Sequence, residues 1–537
     1  MRAFRIFATA LAGLSAGCSS PAPADPPPLR LRERWVYAPF DLREPRAVEK
    51  LESLMARAAR AGYNAFLLED PNFGKLPLMD AAYYAHLERV KRAAAAHRLD
   101  LVPALFQIGH SQNLLAQDPN LAEGLPVRDA LFVVRGGTAR LEPDPPVALR
   151  PRWDWKDPIV GDDGTVRDPR GRYARMVQKV AVRPFRQYHV SVRVRTREFR
   201  GTPRVLAVGK GRLLNYRFLG VRPTQDWTEH HAFFNSLDSS EVRLYLGCWD
   251  GETGELSWAE PRLREIGLFN LLRRPGAPLS VRTEDGRPLV EGRDFEPVSD
   301  PGLVEILERR SYDAWHDPPV LRTALPDGTR LRVSYYHALS MPDHGQTMIC
   351  PSEPRTLEIL RDQARRLHRL FRPRAFFMTH DEVRVLNWDE SCRRRALTPA
   401  GILAENVRSC VSILRDIDPR ADIYVWSDMW DPYHNARPNY CLVNGDLTGS
   451  WEGLDRDVIV ADWYFDRREE SLSWFASRGH RTLLAAYYDK MPERARDWIE
   501  TARRTGGAVG IMYTSWFDKY EDLEVFARHV EDALAAR

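Results

Sequence analysis

From Trp35 the chain alternates strand and helix, stops alternating near residue 106, and resumes the same alternation some 250 residues later. Trp35–Ala38, Asn64–Leu68 and Leu99–Phe106 read as short apolar strands, with helical spacing over 48–61 and 83–96 between them. After the gap come a helix over 358–370, a strand over 375–379, and a helix opened by Thr398-Pro399, an N-cap followed by a first-turn proline. Strands over 422–426, 458–463, 482–487 and 508–513 follow, with helices over 470–477, 493–503 and 523–534. Three strands before the gap and five after residue 374 make eight, the number that closes a parallel barrel. The predicted fold class is α/β, a (β/α)8 TIM barrel interrupted after strand three by an all-β, sandwich-like insertion.

Within the gap the period changes to two. Tyr188–Val194 and Val242–Leu246 alternate apolar and polar residues, and turns rich in Gly, Asp and Pro separate such runs. The strand over 331–335 is left out of the barrel because no helical pattern precedes it. The expected boundaries are therefore 33–144 for the first part of the barrel, 145–270 for the inserted sandwich, 271–354 for a connecting segment, and 355–537 for the second part of the barrel. Trp227, Trp249 and Trp258 are possible sugar platforms on the insertion, which equally reads as a brace beside the barrel mouth.

Ahead of the barrel, Arg2 and Arg5 precede an apolar run from Ile6 to Leu14 and then Ala16-Gly17-Cys18. This reads as an export signal over 1–18, with Cys18 as the lipidation residue, followed by a linker over 19–32. Ser15 stands where a lipobox usually has Leu, and cleavage after Ala22-Pro23-Ala24 is the rival reading. The expected location is the cell envelope, with membrane contact through a lipid anchor only. Five further cysteines fit no zinc-motif spacing. The net charge of +4 is spread among mixed charges, so no nucleic-acid partner is expected.

In such barrels the C-terminal strand ends carry the chemistry. Strand three ends in Gln107-Ile108-Gly109-His110, and strand four in His380-Asp381-Glu382. Strand five ends in Trp426-Ser427-Asp428-Met429-Trp430, and strand six in Asp462-Trp463-Tyr464. Strand seven ends in Tyr487-Tyr488-Asp489, and strand eight in Tyr513-Thr514-Ser515-Trp516. Two adjacent carboxylates at the tip of an apolar strand have no packing use, since desolvating charge is costly. Carboxylates mixed with aromatics at one mouth describe a carbohydrate pocket.

These segments resemble glycoside hydrolase family 20, the β-N-acetylhexosaminidases. Phe377–Val383 is similar to the family's Gly-Gly-Asp-Glu-Val signature, Gly109-His110-Ser111 to its Pro-Gly-His, and Trp426-Ser427-Asp428 to its fifth-strand Trp-x-Asp/Glu. Ala104 stands in place of the family's Glu, Thr379-His380 in place of its two glycines, and its leading α/β domain is missing. The resemblance implies a retaining, substrate-assisted hydrolysis of a glycan that needs no cofactor and no metal. Glu382 would be the acid, its pKa raised by Asp381, and Asp381 would hold the acetamido N–H. Tyr487 or Tyr488 would donate to the acetamido carbonyl, Trp426, Trp463 and Trp516 would wall the pocket, and His110 would support the acid pair. His380, Asp428, Trp430, Asp489 and Arg43 complete the expected substrate-binding set. Two other readings are a glycan-binding surface lipoprotein without turnover, and a glycosidase that ignores the acetamido group, pairing Glu382 with Asp428 or Asp489.

Overall fold

The computed structural model describes residues 29–151, 153–155, 174–251, 253–303, 312–341 and 345–536. The export signal and Cys18 lie outside the described residues. Eight parallel strands close a barrel: β1 (Glu33–Ala38), β2 (Ala65–Leu68), β3 (Asp100–Leu105), β4 (Ala375–Met378), β5 (Asp422–Trp426), β6 (Ile459–Asp462), β7 (Thr482–Ala485) and β8 (Ala508–Tyr513). These are the eight strands the sequence predicts, in the predicted order. The ring shuts where β1 pairs with β8, Trp35 opposite Met512 and Glu33 opposite Gly510. A Cβ on Gly510 would stand 2.3 Å from that of Glu33, so the seam needs a residue without a side chain there.

Barrel strands are covered on both faces, so their residues are apolar in runs and the period of two sorts them by size. Trp35, Tyr37, Phe377, Tyr424 and Trp426 point inward together with Ala65, Ala104, Ala375, Ala461 and Ala485. Large rings packed beside small residues fill the interior: Trp35 meets Tyr424 at 4.5 Å between centroids and Phe377 meets Trp426 at 4.7 Å. The alternate residues, among them Val36, Phe66, Phe376, Ile423, Val460 and Ile511, face the helices. With the barrel interior filled, a ligand of the barrel has its room above the strand ends.

Among the described residues the longer helices are α1 (Pro45–Arg60), α2 (Ala81–Ala96), α3 (Pro354–Phe371), α4 (Pro399–Ile417), α5 (Arg468–Ser477), α6 (Arg494–Thr505) and α7 (Leu523–Ala535), with a single turn at Glu390–Arg393. In α1 the buried residues Val48, Leu51, Met55 and Ala58 recur at helical spacing, which presents one apolar stripe to the barrel. Between β5 and β6 there is no α-helix; a 3-10 turn at Ser450–Gly453 packs on α4 in its place. No helix among the described residues is long and apolar enough to cross a membrane.

Between β3 and α3 the chain builds three antiparallel sheets. One runs in the order 212–218, 203–209, 241–248, 174–181, 154–155, and a second in the order 225–235, 187–200, 253–266. A third, six-stranded sheet joins 125–135 and 138–141 to 330–337, 280–283 and two short edge strands. Residues 125–141 were expected to continue the barrel, and 271–354 to be a mere connection. They belong together, because 125–135 pairs along its length with 330–337, a partner some two hundred residues away that local periodicity does not reveal.

Thr398 caps α4 as its sequence suggests, its hydroxyl accepting the Gly401 N–H at 3.1 Å. Thr398→Ala leaves that N–H unsatisfied and should cost about 1 kcal/mol. The expected result is a lower urea midpoint for the full chain, restored by Thr398→Ser; equal midpoints for all three proteins would show that the cap does not matter.

Candidate active site

Above the C-terminal ends of the strands lies a cavity of about 860 Å³, lined from all eight. β1 contributes Tyr37 and, beyond its end, Pro39 and Asp41; β2 is followed by Glu69 and Pro71, and β3 by Gln107, His110, Gln112 and Asn113. β4 is followed by Asp381, Glu382 and Arg384; Trp426 ends β5, and Trp463, Tyr488, Trp516 and Phe517 follow the last three strands. Tyr37, Trp426, Trp463 and Trp516 form one continuous wall, neighbouring ring centroids standing 5.5–5.9 Å apart. Such a wall offers flat faces to a sugar ring.

The acid pair is held by backbone contacts. Gly109 lies so close beneath Asp381 that a Cβ would fall 1.7 Å from the Asp381 carbonyl oxygen. Glu382 adopts φ 51°, a left-handed backbone that costs a non-glycine residue roughly 1–2 kcal/mol. Its N–H is fixed by buried Asp428 at 2.8 Å, itself braced by Asn435 at 2.9 Å, and its carbonyl accepts from Gln346 at 2.9 Å. That strained turn aims both carboxylates at His110, whose Nε2 lies 3.5 Å from Asp381 and 3.4 Å from Glu382. Arg384 completes the group, 2.8 Å from the other oxygen of Glu382.

Electrostatics here reverse one expectation. Burial alone would raise Glu382, but the hydrogen bond from His110 and the charges of Arg384 and His110 outweigh it, leaving the pKa near 2. Burial raises Asp381, and the charge on Glu382 adds to the rise that His110 partly offsets. So Glu382 gives up its proton more readily than Asp381, because Arg384 pairs with Glu382 while His110 stands between the two. The same contact raises His110 to about 9 against its own burial, with its side chain still a third open to the cavity, so solvent screens part of the attraction. Desolvation of half-buried Glu69, and then the charge of Asp381, push it up to about 7 although Tyr37 donates to it at 2.7 Å.

The structure brings together His110, Asp381, Glu382, Trp426, Trp463, Tyr488 and Trp516 of the predicted set. The others stand behind the cavity or outside its lining. His380 is fully buried against Trp430, with its Nε2 on Asn406 at 3.1 Å, and Trp430 is equally buried. Asp428 supports Glu382 from below, where burial and the charge of Asp381 push it up to about 8. Tyr487 stacks on Tyr513 and donates to Asp522 at 3.0 Å, and of the two it is Tyr488 that lines the cavity. Asp489 accepts from Ser515 at 2.7 Å and from the Trp516 N–H at 3.2 Å, shaping the β8 loop. Arg43 pairs with Asp41 at 2.8 Å, and it is Asp41 that lines the cavity. Asp428 and Asp489 both stand outside the lining. On the insertion, Trp258 is buried, and guanidinium groups lie over Trp227 (Arg195, 4.9 Å) and Trp249 (Arg204, 5.1 Å). Trp258 is therefore covered, while Trp227 and Trp249 are half-buried with a guanidinium over each.

Glu69, Tyr37, Asp41 and Arg384 escaped the sequence reading. The strand-end rule that found the other residues applies equally to Tyr37–Asp41 and to Glu69-Asp70 after β1 and β2.

No family model matches the chain, and no curated protein does. Among solved structures it is similar to a glycoside hydrolase family 20 β-N-acetylglucosaminidase, at 9% identity over 93% of this chain and 69% of that one, with a TM-score of 0.37. It is also similar to a rhamnosidase from Novosphingobium sp. PP1Y, at 12% identity over 96% of this chain and 60% of that one, TM-score 0.32. A family 16 carbohydrate-binding module matches 21% of this chain and 89% of its own length, at 18% identity and TM-score 0.18.

The raised pKa of Glu69 makes a testable demand on stability. From about pH 4.5 to about 7 the folded chain keeps a proton that the unfolded chain has released, so stability falls as pH rises through this window. Glu69→Gln removes that part of the slope. Its thermal midpoint should decline less than that of the wild type across the window, and parallel declines would mean Glu69 does not titrate there.

Proposed function

We propose that the protein is a glycoside hydrolase acting on a β-linked N-acetylhexosaminide at the Asp381–Glu382 pair. The observation that carries this reading is the adjacent Asp381–Glu382 pair at the mouth, one carboxyl held above its ordinary pKa and the other below, beside a wall of tryptophans. Glycoside cleavage needs that division of labour. In the substrate-assisted route the 2-acetamido oxygen closes on the anomeric carbon while a carboxyl protonates the departing oxygen. A carboxylate steadies the positive oxazolinium, and water then opens it.

The family resemblance gives the proton to Glu382. The charges around the pair support the reverse: Asp381, with Glu69 opposite, keeps the proton and delivers it to the leaving oxygen. In this reading Glu382, between His110 and Arg384, is the ionised partner, and Tyr488 donates to the acetamido carbonyl. The reading includes export with a lipid on Cys18, which mass spectrometry of the mature N-terminus tests; an unmodified terminus at Asp25 would overturn the anchor.

General acid catalysis contributes about 10²- to 10⁴-fold, and the contribution vanishes when the leaving group needs no proton. Asp381→Asn should therefore lose a factor in that range on glycosides with poor leaving groups and spare activated aryl glycosides. Glu382→Gln should slow both. The opposite pattern would return the acid to Glu382, and undiminished turnover by both variants would sink the site. The close Arg384–Glu382 pair favours a second reading, glycan binding without turnover. Under that reading the wild type binds N-acetylhexosaminides and hydrolyses none of them.

A further inference from the structure

A second group of buried reactive side chains lies outside the cavity lining. Glu123, Cys350, Asp389 and Cys392 are each at most 3% exposed, and one potential ligand atom from each lies within 4.8 Å of all the others. They come from three places in the chain. Glu123 stands where the chain leaves the barrel for the insertion, Cys350 where it returns ahead of α3, and Asp389 and Cys392 in the segment between β4 and α4.

The geometry within the group is specific. The two sulfurs are 3.6 Å apart, whereas a disulfide needs about 2.05 Å. Two thiolates on a tetrahedral zinc, with bonds of about 2.3 Å, stand about 3.8 Å apart. Each carboxylate turns one oxygen to the sulfurs and has the other anchored from outside. Glu123 Oε1 accepts the N–H groups of Trp388 at 2.8 Å and Asp389 at 3.3 Å, while Oε2 faces Cys392 Sγ at 3.4 Å. Asp389 Oδ2 accepts from Arg274 at 2.6 Å and from the Gly124 N–H at 3.4 Å. Its Oδ1 faces Cys350 Sγ at 3.5 Å and also accepts the Cys392 N–H at 3.0 Å. Outer donors that orient carboxylates in this way are the usual support of metal ligands.

We propose that Glu123, Cys350, Asp389 and Cys392 form a structural zinc site. Four protein ligands close the tetrahedron and leave no open position, which separates this site from a catalytic one. The two sulfurs select zinc over calcium or magnesium, which prefer oxygen. Binding releases the two thiol protons to solvent, with no change of oxidation state. The ion would bind both ends of the insertion to the segment that follows Asp381 and Glu382. The proposal stands independently of the substrate.

The test begins with the full-length wild type, grown with added zinc and purified without chelator. Plasma mass spectrometry should find about one zinc per chain, released when a mercurial blocks the thiols. Cys392→Ser and Asp389→Asn should bring the metal to background, while Cys410→Ser, a buried cysteine outside the group, should keep it. Cobalt exchanged into the wild type should give a thiolate-to-metal charge-transfer band that Cys392→Ser lacks. A reduced wild type that holds no zinc and takes up neither zinc nor cobalt would overturn the site. So would a Cys350–Cys392 cross-linked peptide in the protein as purified, which would make the pair a disulfide.

Discussion

Closing eight parallel strands leaves a space that only side chains can fill, and the way this chain fills it governs the rest of the molecule. The inward rings of Trp35, Phe377, Tyr424 and Trp426 occupy the volume that Ala65, Ala104, Ala375 and Ala461 leave free. Ala104 stands where the resembled family carries an acid, and here it is part of that packing, with Phe377 as its register partner on β4. A carboxylate in that position would be buried among rings and would need a partner the barrel does not provide. Ala104 thus keeps this part of the β3 interior apolar, and the ionisable groups of the cavity stand at the mouth.

At the mouth, the charges divide into two sets. Asp381 and Glu69 share a face without a cation of their own except through His110, and both retain protons more readily than free carboxyls. Glu382 is turned by its left-handed backbone toward Arg384 and His110, and it ionises more readily. The strain in that turn is offset by buried Asp428, which takes the Glu382 N–H. Two adjacent residues of one dipeptide therefore reach opposite protonation preferences through backbone geometry added to their mutual repulsion. Repulsion alone raises one of a pair but does not say which.

That is also the limit of what the chain reveals before folding. The eight strands, the cap at Thr398 and the tryptophans of the mouth are local patterns, each carried by a few neighbouring residues. The pairing of 125–135 with 330–337 depends on a register set across the whole insertion, so it leaves no local mark. The protonation of the acid pair depends on Arg384, two residues past Glu382, and on whether the chain turns it back toward the carboxylate. His380 shows the same limit from the other side. Its place beside Asp381 on the sequence suggests the site, but alternation along the strand sends it behind the barrel to Asn406.

The insertion is tied to the site at several points, which argues against regarding it as an appendage. Its returning segment places Gln346 on the Glu382 carbonyl, the Thr347 carbonyl on the Ser111 N–H at 2.9 Å, and the Ile349 N–H on the Ser111 hydroxyl at 3.0 Å. Ser111 follows His110 directly, so the cation that bridges the acid pair is held by the same few residues that end the insertion. Arg274, also from the insertion, reaches Asp389 and Glu353, each at 2.6 Å. Each contact is buried or half-buried, where hydrogen bonds are strong and an unmade one is expensive. Removing the insertion would therefore do more than expose its own core. It would unpin His110 and Glu382 together, and with them the arrangement of charges on which any proton transfer at this mouth depends.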